Sequence, residues 1–177
     1  NKLFELASGK YVYLIASDDL AKPNAIQKEL EFLENNPDYV LAVGDDEVID
    51  KDGILQNVPT AKENISRARK INFKSDDFGN YATLFFIGNH VPNGYLMKKS
   101  ILDKCGELTD KAPLEDWWLM LHFAKYGKIK YIDEIMLSYR IHGENTFTKD
   151  KRMRQMARQT FKNEVETLKT ADFSTML

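Results

Sequence analysis

Cysteine is almost absent from this chain of 177 residues, and Cys105 stands alone. One cysteine excludes an internal disulfide framework and a cysteine zinc site, and it is compatible with a reducing cytoplasm. No His lies near Cys105 in sequence, so it reads as a small helix-packing residue rather than a nucleophile. Net charge is nearly absent too, at -2. There is no global basic field of the kind that bulk nucleic-acid binding needs. No apolar run approaches the roughly 20 residues that span a bilayer. Internal repeats, low-complexity segments and a convincing linker are also missing, so residues 1 to 177 read as a single unit. What remains is ordinary for a globular protein, with 43% apolar and 29% charged residues and length for one domain with a good core.

The informative stretch is Tyr11-Val12-Tyr13-Leu14-Ile15-Ala16-Ser17-Asp18-Asp19. An apolar run rich in β-branched and aromatic residues predicts a buried strand. It ends in two carboxylates. In open α/β sheets ligands bind at the carboxyl ends of strands, so Asp18 and Asp19 are expected at the mouth of a cleft, as oxygen ligands suited to Mg²⁺ or Mn²⁺. Taken alone, the pair reads equally as a strand followed by an Asx turn with solvated acids. Asn1 to Ala7 reads as the last two turns of a helix already under way, rather than a signal peptide. A buried strand also needs neighbours, and parallel ones need crossover helices. The chain is therefore expected to be the later part of a larger α/β protein.

Further along, Lys22-Pro23-Asn24 to Asn36 predicts a helix with Pro23 in its first turn and an apolar stripe of Ile26, Leu30 and Leu33. Tyr39 to Val43 predicts a short strand. Gly44-Asp45-Asp46 follows it as loop acids, and Asp52-Gly53 predicts a hairpin turn. Residues 56 to 75, polar and basic, predict a surface loop or a short helix, with a lid over a diphosphate as the sharper alternative. Phe78 to Ile87 predicts a buried helix broken at Gly88-Asn89, and Tyr95 to Met97 a short strand. Ser100 to Cys105 predicts a helix stopped by Gly106. Glu115 to Tyr126 predicts a strong helix, and Lys128 to Ile132 and Met136 to Ile141 two strands. From Asp150 to the end, Met153, Met156, Ala157, Thr160, Phe161, Val165 and Leu168 recur at helical spacing. His90 and His122 read as structural.

Four features stand in order: Ala16-Ser17-Asp18-Asp19 after a strand, Gly88-Asn89 before a strand, Leu114-Glu115-Asp116-Trp117 opening a helix, and Tyr139-Arg140-Ile141-His142-Gly143-Glu144-Asn145 closing the last strand. Each motif is weak alone; the ordered set is specific. It resembles the second half of inverting family-2 glycosyltransferases, over about residues 1 to 146. The resemblance implies an α/β fold, a GT-A-like mixed sheet flanked by helices, incomplete because the N-terminal nucleotide-binding half is absent. It implies a metal-dependent transfer of a sugar from a nucleotide-diphosphate sugar to a glycan or lipid-linked acceptor hydroxyl, with inversion.

By that resemblance Asp19 and His142 are metal ligands for Mn²⁺ or Mg²⁺. Asp18, Asp19, Arg140 and His142 bind the nucleotide sugar, with Arg140 offsetting diphosphate charge. Asp116 is the general base, and Glu115 orients the acceptor or supports Asp116. Gly88, Asn89, Glu115 and Trp117 lie on the acceptor side, although core burial suits Trp117 equally well, and the loop acids Asp45 and Asp46 are a rival carboxylate pair with contact to the acceptor as their functional alternative. Ala16 departs from the family, which often has Asp there, and this weakens the expected grip on the ion. Without the family's first half, the chain alone is expected to bind a nucleotide sugar weakly or not at all. The rival reading is a non-catalytic carbohydrate- or partner-binding remnant. A metal-dependent phosphotransferase or nuclease is remote, because no phosphate-cradling glycine loop is present.

The last helix carries Lys149, Lys151, Arg152, Arg154 and Arg158 near its start. Its plain reading is a solvated face packed on the domain, or a homodimer contact. The resemblance adds a peripheral contact with the cytoplasmic face of a membrane and a cytoplasmic location.

Overall fold

Two long strands occupy the middle of the molecule. In this computed structural model, which describes residues 1–142 and 150–170, β3 (Tyr39–Ile49) and β5 (Lys128–Arg140) run parallel and side by side. With β1 (Tyr11–Leu14), β2 (Leu20–Ala21) and β4 (Tyr95–Lys98) they form a five-stranded mixed sheet in the order β1-β4-β3-β5-β2. β4 is antiparallel to both β1 and β3, and β2 is antiparallel to β5. The helices are α1 (Lys2–Leu6), α2 (Ala25–Asn35), α3 (Ala61–Arg69), α4 (Tyr81–Ile87), α5 (Lys99–Cys105), α6 (Glu115–Ala124) and α7 (Asp150–Thr170). This is a mixed α/β architecture of the broad class expected.

Side-chain alternation along the strands builds the core on both faces. Leu41 and Val43 join the larger cluster, with Met97, Trp117, Trp118, Leu119, Phe123 and Ile129. Ala42 and Leu96 point the other way, to Leu33 of α2. Both indoles are buried, and Trp117 Nε1 donates to the Leu84 carbonyl at 2.9 Å. Cys105 is buried and its thiol is pushed up to about 12 by burial, as befits a packing residue.

Several boundaries differ from expectation for physical reasons. β1 is half-buried and sits at a sheet edge, with an antiparallel rather than a parallel neighbour. Its apolar run reflects two faces being covered: Val12 and Leu14 meet the larger cluster, Tyr11 and Tyr13 the smaller. Gly44-Asp45-Asp46 does not end a strand. β3 runs straight through it, and a Cβ on Gly44 would lie 2.4 Å from the Met136 side chain, so only glycine fits beside β5 there. The two strands expected at the end are likewise one. Asp133 and Glu134 lie between the two expected stretches, and there the register jumps from Val43–Tyr131 to Asp45–Ile135, so β5 carries these charges outward on a bulge.

Residues 61–69 form a helix whose start is set by a capping box between Thr60 and Glu63. α2 begins at Ala25, after Asn24 in the left-handed region, so Pro23 precedes the helix. It buries Ala25, Glu29 and Leu33 and leaves Ile26 exposed. The buried stretch around Phe78 is split by a 3-10 turn (Asp76–Gly79), with Asn80 capping α4. The Asp-Gly turn closes with Gly53 at φ 84° and one antiparallel bridge, Ile49 to Leu55.

Candidate active site

The short β2 strand positions the first acids. Leu20 and Ala21 pair with Ser138 and Leu137 of β5, which sets the preceding turn against the end of that strand. Asp19 Oδ1 accepts the backbone N–H of Arg140 at 2.8 Å, and the Asp18 carbonyl accepts Arg140 Nε at 2.7 Å. His142 Nε2 lies 2.9 Å from Asp18 Oδ2. An ionised carboxylate can only accept, so Nε2 carries the proton in that contact. Arg140 Nη1 also donates to the carbonyls of Asp50 and Lys51, at 2.9 and 3.1 Å. The guanidinium thus ties the turn after β1 to the end of β3, a bracing contact that family resemblance alone did not suggest. Gly143, Glu144 and Asn145 of the closing motif lie outside the described residues.

Asp116 sits in the first turn of α6, where the helix dipole favours a carboxylate. Its Oδ1 accepts the backbone N–H of Trp117 at 2.7 Å, and its Oδ2 accepts Asn89 Nδ2 at 2.9 Å. Asn89 Oδ1 in turn accepts the Val91 N–H at 3.2 Å. With a donor on one side and an acceptor-only carboxylate on the other, the amide can face only one way. Asn89 therefore aims Asp116. Gly88, at φ 91°, ends α4, the structural role that competed with an acceptor contact in the sequence reading.

Asp18, Asp19, Glu115, Asp116 and His142 line one cavity of about 970 Å³. Segments separated by more than 120 residues meet there. Arg140 is not part of its wall. Glu115 stands exposed at its edge. Trp117 and Asn89 instead line a second, adjoining groove, which shares Leu114, Asp116 and Met153 with the cavity.

Three contributors to the cavity wall lie outside the site residues expected from the sequence. The first is Asp46, only 6% exposed and part of the cavity wall. Burial pushes its carboxyl up to about 7, the charges of Asp45 and Asp19 add to that, and the backbone N–H groups of Asn93 and Ala61 oppose it. Reading a strand end at Val43 had turned this acid into a loop residue. The second is α3, in a stretch expected as a surface loop or a short helix, which supplies Ala61, Asn64 and Ile65 to the wall. The third is α7, which supplies Arg152, Met153 and Met156. Helical spacing located that helix, but nothing in its sequence said which side of it would meet the cavity.

A divalent ion fits this donor set in a limited way. Asp19 is 7% exposed, and its Oδ2 is a buried oxygen without a hydrogen-bond partner in the cavity wall. Burial, with the charge of Asp18 adding to it, raises the Asp19 carboxyl above its usual range against the Arg140 N–H, so a cation there would relieve it. No three His, Cys, Asp or Glu side chains among the described residues gather closely enough to enclose a metal by themselves. Mg²⁺ is commonly held by one or two carboxylates plus substrate phosphates and water, which asks for no more than Asp19 and a near neighbour.

In α/β proteins of this kind, ligands bind in crevices at the carboxyl ends of the strands, and here Asp18, Asp19 and His142 line such a crevice with Glu115 and Asp116 from the start of α6. No protein-family model matches the chain. It is 28% identical over 150 residues to an uncharacterized glycosyltransferase of Methanocaldococcus jannaschii, a match that covers 83% of this chain and 47% of the relative. The chain thus spans about half the length of that relative. No helix among the described residues is long and apolar enough to cross a membrane.

Proposed function

We propose that this chain carries the transfer site of an inverting, family-2-type glycosyltransferase with a GT-A-like sheet. The observation that supports it is the meeting of Asp19, His142 and Asp116 around one cavity, with Asp116 oriented by Asn89. The donor is a nucleotide-diphosphate sugar, its diphosphate near Asp18, Asp19 and His142. Mg²⁺ or Mn²⁺, held chiefly by Asp19 and the phosphates, would offset the charge that develops on the leaving group.

Asp116 lines the same cavity, and in this reading an acceptor hydroxyl beside it approaches the anomeric carbon on the side opposite the diphosphate. The hydroxyl oxygen forms its bond to that carbon as the bond to the phosphate oxygen breaks. The departing diphosphate keeps the electron pair, and the hydroxyl proton passes to Asp116. His142 holds Asp18 in place, and Glu115 lies beside the base at the entrance. Donor, acceptor and ion are those expected of the family.

Asp116→Asn in the protein at its natural length tests this reading. Transfer falls by about 10³-fold or more while donor affinity and melting temperature stay near wild type. Unchanged transfer would support the non-catalytic remnant instead.

A further inference from the structure

The helix α7 lies beyond the stretch that carries the family resemblance, yet one face of it runs along the candidate site. Met153 and Met156 line the cavity. Thr160 and Glu164 follow Met156 at helical spacing, so the three share a face. Thr160 is fully buried, and its Oγ1 accepts the backbone N–H of Leu114 at 3.0 Å. Leu114 lines the cavity and occupies the N-cap of α6, directly before Glu115 and Asp116. One turn beyond Thr160, Glu164 holds α7 down through Tyr81 and Lys125.

The start of α6 needs such an outside anchor. Helices are commonly begun by a side-chain oxygen at the N-cap that accepts a first-turn N–H. Leucine has none, and no cap bond is made there. Asp116 accepts the Trp117 N–H itself, which ties the carboxylate to its own helix but does not fix where that helix begins.

We propose that Thr160 is a positioning residue for the transfer step: it fixes the main chain just ahead of Asp116, while Asn89 fixes the carboxylate. The inference rests on the reading of Asp116 as the base. Asn89 grips Oδ2 from the turn after α4, and Thr160 grips Leu114 from α7. Two anchors on separate elements leave the carboxylate one direction into the cavity. Thr160 is not part of the cavity wall, so it touches no substrate and acts through Asp116. A displacement of about 1 Å in a reacting group costs about 10²-fold in rate, which sets the scale of what this bond protects.

The test uses the natural-length protein and three variants. Thr160→Val keeps the shape and removes the acceptor oxygen, and Thr160→Ser keeps the oxygen. Gln159→Ala loses only an exposed bond from α7 to the Asp110 carbonyl. Transfer is followed as nucleoside diphosphate release from UDP-glucose, UDP-N-acetylglucosamine and GDP-mannose. Thr160→Val is expected to lower kcat by about 10- to 100-fold with the donor KM within about twofold. Thr160→Ser restores the rate, and Gln159→Ala leaves it unchanged. Placed on Asp116→Asn, Thr160→Val adds no further loss, because the residue it acts through is already gone. A second readout needs no substrate. The side-chain amide signals of Asn89 in nitrogen-edited NMR should move in Thr160→Val, return in Thr160→Ser and stay in place in Gln159→Ala.

The inference is overturned if Thr160→Val leaves the Asn89 signals or kcat as in wild type, if Gln159→Ala acts alike, if serine fails to restore, or if the loss persists in full on Asp116→Asn. Loss of transfer in Asp116→Asn with a wild-type rate in Thr160→Val sinks this inference alone. Unchanged transfer in Asp116→Asn sinks the base itself, and the role of Thr160 with it.

Discussion

Asn89 and Glu29 show how much a single side chain can decide here. Asn89 links the Val91 backbone to the Asp116 carboxylate. Asn89→Ala should lower kcat by about 10- to 100-fold with the donor KM little changed, because it frees the base without touching the donor cavity. Steady-state kinetics on both substrates check this. Glu29 is fully buried under the sheet, and no donor sits in good hydrogen-bond geometry to either carboxyl oxygen, although the backbone N–H groups of Gly44 and Leu96 point near it. Burial pushes it up to about 9, with the backbone N–H groups of Gly44 and Leu96 opposing. The folded chain thus keeps a proton that the unfolded chain has lost above about pH 4.5. Stability is full below that pH and declines as pH rises toward 9. Glu29→Gln should raise stability at pH 8 and flatten the decline, which amounts to about 1.4 kcal/mol per pH unit. Denaturant titrations at pH 5 and pH 8 decide it. The sequence shows Glu29 as one more charge on an amphipathic helix; only the sheet above it makes it an anomaly.

Among the elements, α7 and the β3–β5 pair matter most. α7 is fastened at two buried points. Thr160 Oγ1 accepts the Leu114 N–H at 3.0 Å, directly before Glu115 and Asp116. Glu164 Oε1 accepts Tyr81 Oη at 2.6 Å and Lys125 Nζ at 2.7 Å, and His122 Nε2 lies 3.5 Å from Oε2. Burial would raise this carboxyl, but the contacts from His122, Lys125 and Tyr81 outweigh burial and hold it at about 2. Its contribution is complete above about pH 4.5 and is lost as pH falls toward 2. Glu164→Gln leaves the half-buried Lys125 without its counter-charge, so it should cost about 2–4 kcal/mol and loosen α7 from α6. Urea unfolding at pH 7 measures that cost. Gly44→Ala drives a methyl into Met136 and should cost about 1–3 kcal/mol. His122 did prove structural, as its place in an apolar helix suggested, but its acidic partner lies 42 residues away. Local pattern could not name that partner. The same limit explains why two strands were read where β5 is one: a bulge depends on the neighbouring strand.

At the scale of the whole molecule, the sheet order puts the parallel pair inside and the short strands outside. Amide hydrogen exchange should be slowest in β3 and β5 and faster in β1 and β2; equal protection across the sheet would contradict that order. The same order brings the turn after β1, the end of β5 and the start of α6 to one cavity. The motifs were visible as residue types at turns and helix starts, because strand endings and helix openings are written locally. The ordered set even suggested which acids would meet.

Local chemistry was enough to name the elements and the acids at their ends, since propensity and periodicity act over a few residues. It could not tell Arg140 as brace from Arg140 as phosphate ligand, bring Asp46 into the cavity wall, or lay α7 across both hollows. Those outcomes come from register and packing between segments distant in sequence, where burial and the neighbouring backbone, rather than residue type, set what a side chain can do.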